Sequence, residues 1–168
     1  YNNIVFRKLG KYFAYFIELI GLIPWVISMV VAGLLWRWLL NTELGLFNVI
    51  IRSLGMESIA VINEKYPARF ALMFVMSWRT IGYAMVMILA GLKGIDHNLI
   101  EASHIDGANS LQTLFKIKLP IIKSSVLLST IVLTVSNFTN NTVPKVLTGG
   151  GPVNATNVVT LEQYNLSF

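Results

Sequence analysis

Apolar residues dominate the chain in three long blocks, and the polar residues between them gather at positions suited to turns. Residues 19–36 carry no charge, residues 70–92 are interrupted only by Arg79, and residues 124–144 stay apolar until Asn137, Asn140 and Asn141. Crossing the ~30 Å hydrocarbon core takes roughly 20 mostly apolar helical residues, because lipid offers no partner to an unpaired backbone N–H or C=O. The pattern therefore predicts an all-α, polytopic membrane helix bundle with spans over about 14–40, 68–92 and 121–144. Pro24 is expected to kink the first span, since neighbouring helices can satisfy the carbonyl that it frees. Trp36 and Trp38 mark an interface. Residues 41–67 read as a loop, with turn signals at Gly45 and Gly55 and one amphipathic surface helix over 46–54.

Composition agrees with a membrane setting: 55% of residues are hydrophobic and 12% charged, whereas a soluble domain carries about 25% charged residues. The formal charge of +5 comes from thirteen Lys and Arg against eight acids. These bases form no long run and do not alternate with aromatics, which argues against a nucleic-acid surface. No cysteine is present, so disulfides and Cys-based zinc sites are excluded. The chain opens on Tyr1 and ends in a polar stretch, and it is expected to be a piece of a longer protein.

Lys and Arg near the spans set the orientation, because basic loops stay on the cytoplasmic side. Arg7, Lys8 and Lys11 precede the first span, and Lys93, Lys116, Lys118 and Lys123 lie between the second and third. Arg52 and Lys65 follow the first span, and Lys145 stands alone in the tail. Residues 93–123 are therefore expected inside, and residues 41–67 and 145–168 outside.

The inside loop has its own punctuation. Asn98 and Glu101 form an Asn-x-x-Glu capping box, which predicts a short helix. Gly107 tolerates the left-handed conformation that closes a helix. Ser110 offers a second N-cap, and Leu111, Leu114 and Phe115 make an apolar stripe before Pro120, which is expected to end the element.

Glu101-Ala102-Ser103, then Gly107, then Ile117-x-Leu119-Pro120 resemble the EAA loop of binding-protein-dependent ABC importer permeases. Leu89-Ala90-Gly91-Leu92, Ile105-Asp106-Gly107-Ala108, Thr148-Gly149-Gly150-Gly151-Pro152, and Leu22-Ile23-Pro24-Trp25 through Trp36 are similar to the carbohydrate permeases of the maltose and glycerol-phosphate type. The likeness covers most of the chain as a single permease domain. It implies a six-helix core, of which these spans look like the third to fifth. One departure stands out: the family's third motif residue is usually Ala, and here it is Ser103, whose hydroxyl is expected to bond back to the i−4 carbonyl.

The resemblance implies that Glu101, Ala102, Ser103, Asp106, Gly107, Ile117, Leu119 and Pro120 belong to a coupling helix and its return. That element docks on an ATP-binding subunit. The chain itself is then a transporter subunit and no enzyme, and ATP and Mg belong to a dimer of ATP-binding partners. A second permease subunit, an extracytoplasmic solute-binding protein and a bacterial or archaeal plasma membrane complete the expectation. The cargo reads as a sugar or sugar derivative, with polyamine, phosphate or another small solute as the alternative.

Within the spans, Arg79 is the central charge, and an Arg at bilayer depth must face protein or water. It either contacts solute or fixes helix packing. Asn137, Asn140 and Asn141 line a path or join helices. The glycine-rich turn at 149–151 lacks the Lys-Ser/Thr of a phosphate loop, and His97 and His104 make no ordinary metal motif.

Overall fold

A computed structural model describes the backbone of residues 2–167 and the side chains of Tyr12 and residues 15–167. The basic side chains of Arg7, Lys8 and Lys11, used above for orientation, lie outside the described set. Among the described residues all regular structure is helical: α1 (Asn2–Val26), α2 (Met29–Leu39), α3 (Leu46–Ser53), α4 (Lys65–Lys93), α5 (His97–Ile105), α6 (Ser110–Thr113), a π-helical turn (Leu114–Lys118), α7 (Leu119–Phe138), α8 (Thr142–Leu147) and α9 (Val159–Ser167). Two helical runs, Lys65–Lys93 and Ser110–Phe138, are 29 residues each and apolar enough to cross a membrane. At 1.5 Å per residue each reaches about 44 Å, more than the hydrocarbon core requires. α1 and α2 make a third candidate if the bent pair counts as one span.

Three sequence expectations shift here. α1 continues through Pro24, where the Ile27 N–H still reaches the Ile23 carbonyl at 3.2 Å, and the break falls at Ile27–Ser28. Ser28 takes an extended conformation (φ −53°, ψ 143°), and its carbonyl accepts from the Ala32 N–H at 2.8 Å to start α2. Pro120 ends nothing and sits second in α7. A helical proline crowds the carbonyl four residues before it. That residue, Lys116, lies in the π turn, whose wider winding relieves the crowding. The third block also ends early as helix: α7 stops at Phe138, and residues 142–144 open the separate helix α8.

The chain divides into two compact units, residues 1–22 with 81–135 and residues 23–80 with 136–168. In the first unit, Gly91 lets α4 approach α7, since a Cβ there would sit 2.8 Å from Ser125 Oγ and 3.0 Å from its Cβ. Ile122, one turn before Ser125, is buried beside this approach. In the second unit, α2 packs on α8 through Gly33, whose added Cβ would meet Val146 Cγ1 at 2.9 Å. Leu72, Val75, Val143 and Leu147 form the core there, with Met29, Trp36, Met76 and Val158 against it. Leu40, Val61 and Ala71 form a smaller cluster beside Trp36 and Ile62.

The loop after α2 is held by one side chain. Asn48 is fully buried, its Nδ2 donates to the carbonyls of Asn41 (3.2 Å) and Ile59 (2.9 Å), and its Oδ1 accepts from the Ile59 N–H (2.8 Å). The amphipathic stretch expected over 46–54 is α3, with Gly45 at its N-cap and Gly55 at φ +77° beyond its end.

Candidate coupling loop and solute-path residues

The loop between α4 and α7 belongs to the first unit and is built from two capped helical segments. The cap of α5 falls two residues before the expected one: Asp96 is the N-cap, and its carboxylate accepts from the Asn98 N–H at 3.0 Å. An acid at that end also meets the positive pole of the helix. Asn98 is therefore inside the helix, and Glu101 is not its capping partner. Glu101 Oε1 instead lies 3.2 Å from His97 Nε2, one turn back on an exposed face.

Gly107 closes α5 as its residue type predicts. Its φ is +80°, the Ala108 N–H donates to the Ser103 carbonyl (2.9 Å), and the Gly107 N–H donates to that of His104 (3.1 Å). This pair of bonds is the Schellman closure, which satisfies carbonyls left open at a helix end. α6 then opens on a reciprocal capping box one residue earlier than Ser110. The Gln112 N–H donates to Asn109 Oδ1 and the Asn109 N–H donates to Gln112 Oε1, both at 2.9 Å.

Ser103, the departure from the family pattern, bonds the Ile100 carbonyl at i−3 (2.7 Å), not the expected i−4 carbonyl. Its Oγ also lies 3.2 Å from Thr113 Oγ1, and both residues are buried. This hydroxyl pair ties α5 to α6. Removing either partner leaves a buried hydroxyl short of a bond, a loss of about 0.5–1.5 kcal/mol for a neutral pair. Ser103→Ala and Thr113→Val are each expected to lower the melting temperature of the purified protein. The double variant should lose less than the sum, so a thermal-melting double-mutant cycle that is strictly additive would remove the pair.

The other motif residues divide by exposure. Glu101, Ala102, Asp106, Leu119 and Pro120 are exposed, and Ile117 is half-buried in the π turn. Asp106, Gly107 and Ile117 come together around a cavity of about 320 Å³, with Ala108, Gln112 and Lys116. Leu99, Leu111 and Phe115 are exposed apolar groups, and Ile105 is 85% exposed at the end of α5. Apolar side chains held outward by a fully capped backbone are the composition of a contact surface.

The solute-path candidates lie in the second unit. Arg79 is half-buried at the centre of α4, and its Nε is buried without a hydrogen-bond partner. An unpaired Arg at that depth costs several kcal/mol. Asn140 is committed to the fold: its Nδ2 donates to Met29 Sδ (3.1 Å) and its Oδ1 accepts from the Val143 N–H (3.1 Å) at the start of α8. Asn141 Oδ1 has only the Thr142 hydroxyl, at 3.5 Å, and the half-buried Asn137 amide makes no hydrogen bond among the described residues. No hydrogen bond joins Arg79 to these asparagines. The indole N–H of Trp36, which the sequence marks only as an interface residue and part of the Leu22–Trp36 likeness, is also buried without an acceptor.

The family model described as binding-protein-dependent transport system inner membrane component matches residues 3–168. The chain belongs to this family. As a member of the transport-system inner membrane components it is a multi-pass membrane protein. It is similar to the sulfoquinovosyl glycerol transport system permease protein of Agrobacterium fabrum, with 36% identity over 143 residues, 85% of this chain and 46% of that one. It is also similar to the trehalose/maltose transport system permease protein of Thermococcus litoralis, 33% identical over 146 residues, 87% of this chain and 50% of that one. The chain thus spans about half the length of the curated relatives it matches. The same fold occurs in a bacterial alginate ABC transporter crystallised with an alginate pentasaccharide-bound periplasmic protein: TM-score 0.76, 21% identity, 94% of this chain and 55% of that one.

Proposed function

We propose that the chain is part of an ABC importer permease subunit that lines the translocation path for a sugar or sugar derivative. ATP is hydrolysed, with Mg, in a dimer of separate ATP-binding subunits, and the α5–α6 element carries that event into the membrane helices. A second permease subunit completes the path, and an extracytoplasmic binding protein delivers the solute. The membrane is the bacterial or archaeal inner membrane, with residues 93–123 on the cytoplasmic side beside Lys93, Lys116, Lys118 and Lys123.

The observation that carries this reading is the build of α5–α6. Two short helices, closed at Asp96, Gly107 and Asn109 and tied through Ser103 and Thr113, present Glu101, Ile105 and Leu111 outward. Such an element has no loose backbone to absorb a push, so displacement at its surface passes to α4 and α7. Sulfoquinovosyl glycerol and trehalose/maltose, for which the two related permeases are named, support sugar as the cargo. Its test is a single cysteine at Ile105 in the complete protein, expressed with its neighbouring transport genes. A disulfide or short bis-maleimide cross-link to an ATP-binding subunit is expected, with efficiency that changes when ATP is bound. A preparation in which no ATP-binding subunit copurifies would sink the importer reading.

A further inference from the structure

Arg79 is the fifteenth of the 29 residues of α4, which contains no Asp or Glu. Nor do α2, α7 or α8. Within its own unit the acids are Glu43, Glu57 and Glu64 in the stretch before α4, and Glu162, whose Oε2 accepts from Asn157 Nδ2. Glu64 is fifteen residues back along the chain, about 22 Å at helical rise. No ion pair and no hydrogen bond engages the Arg79 side chain among the described residues, and its Nε is buried without an acceptor. A second buried donor without an acceptor in this unit is the indole N–H of Trp36, whose ring meets that of Trp78, the residue before Arg79, edge-on at 5.4 Å. An indole N–H and a guanidinium can only donate. This unit therefore holds two buried donors without acceptors, one of them on a fixed positive charge at the centre of α4, and no acid in its helices α2, α4 or α8.

We propose that Arg79 is the recognition cation of the solute path and that the cargo is a sugar bearing an oxyanion, a carboxylate, sulfonate or phosphate. This rests on the importer reading above and deepens it. A guanidinium presents its N–H groups as a planar fork that matches two oxygens of such an anion, and it stays charged under all working conditions. The cargo supplies a countercharge as it passes Arg79, so the two charges offset each other within the low-dielectric zone. Among the described residues of its unit, a neutral sugar would leave the charge of Arg79 without a partner.

The test uses the complete importer, purified with its ATP-binding subunits but without the binding protein, so that only the membrane path selects. Thermal stabilisation is measured with glucose and lactose against glucuronate, digalacturonate and glucose 6-phosphate. At least one acidic member is expected to raise the melting temperature in a salt-sensitive way while the neutral sugars do not. Arg79→Gln should weaken that response by about tenfold or more in apparent affinity, the size of one charge-assisted pair, and Arg79→Lys should keep part of it. Equal stabilisation by neutral sugars, or none by any sugar, overturns the proposal. So does an Arg79→Gln protein that melts lower yet keeps the full acidic response, which would make Arg79 a packing residue paired with another segment. If Arg79→Gln does not fold, the wild-type panel and Arg79→Lys decide alone. Copurified ATP hydrolysis in the same preparations tells a failure of this inference from a failure of the importer reading.

Discussion

Leucine at Gly107 is expected to leave the complete protein in the membrane at wild-type abundance while solute uptake falls by about tenfold or more and ATP hydrolysis by the partner continues. The reason is conformational. Gly107 sits at φ +80°, where an L-residue with a Cβ pays roughly 1–2 kcal/mol, and tenfold in an equilibrium corresponds to about 1.4 kcal/mol. Space is not the obstacle, since an added Cβ would find nothing within 4 Å. What the substitution disturbs is the closure made by the Ala108 and Gly107 N–H groups on the carbonyls of Ser103 and His104. Losing it frees α5 to reorient on α6, and a push on Ile105 is then spent inside the loop. Gly107→Asn separates this cause from bulk. Asn is close to Leu in size but tolerates the left-handed region, so it should retain much of the uptake. An Asn variant as inactive as the Leu variant would make size the determinant, and wild-type uptake with Leu would remove Gly107 from the mechanism. Uptake into proteoliposomes and ATPase rate, measured on the same preparation, give the readout.

The loop was legible because its marks are local. Glu101, Ala102, Gly107, Ile117, Leu119 and Pro120 lie at spacings readable along one stretch, and Gly107 has the conformation that its residue type favours. The caps were displaced by one or two residues for a reason visible afterwards. Asp96 and Asn98 compete for one helix start, and the carboxylate wins at the positive helix pole. Likewise Asn109 takes the cap from Ser110 because Gln112, three residues on, returns its bond. Local pattern could not show that Ser103 has a hydroxyl partner, because Thr113 reaches it only after the chain turns at Gly107. Nor could it show that Asn140 spends its amide on Met29 and Val143, since Met29 lies far back in the sequence. A proline's missing N–H marks where a helix is weakened, while the break itself depends on neighbours: the first span does bend, but at Ser28 just past Pro24, and at Pro120 the π turn carries the helix on.

Gly45→Ala is expected to be more damaging to folding than any change at Gly107, and for the opposite reason. Its φ of −68° suits any residue. The space does not: a Cβ would lie 2.4 Å from the Asn41 carbonyl oxygen, 2.5 Å from that of Leu39 and 2.6 Å from the Asn41 nitrogen. All three are backbone atoms, so no side chain can swing aside, and the chain between α2 and α3 must move. That displacement breaks the Gly45 N–H bond to the Asn41 carbonyl (3.1 Å) and pulls the same carbonyl from Asn48 Nδ2. Overpacking costs typically about 1–3 kcal/mol, and the loss of a buried donor's partner adds about 1–3 kcal/mol. Together these should exhaust much of the stability of residues 41–59. Asn48→Leu tests the same node without the clash, removing both donors and the acceptor for the Ile59 N–H while keeping similar volume. Both variants should show early proteolysis within residues 41–64 and a lowered melting temperature in detergent, with Gly45→Ala the lower. Undiminished stability in Gly45→Ala would mean that the turn before α3 has room to open, and that the close approach of its backbone is not what positions this helix.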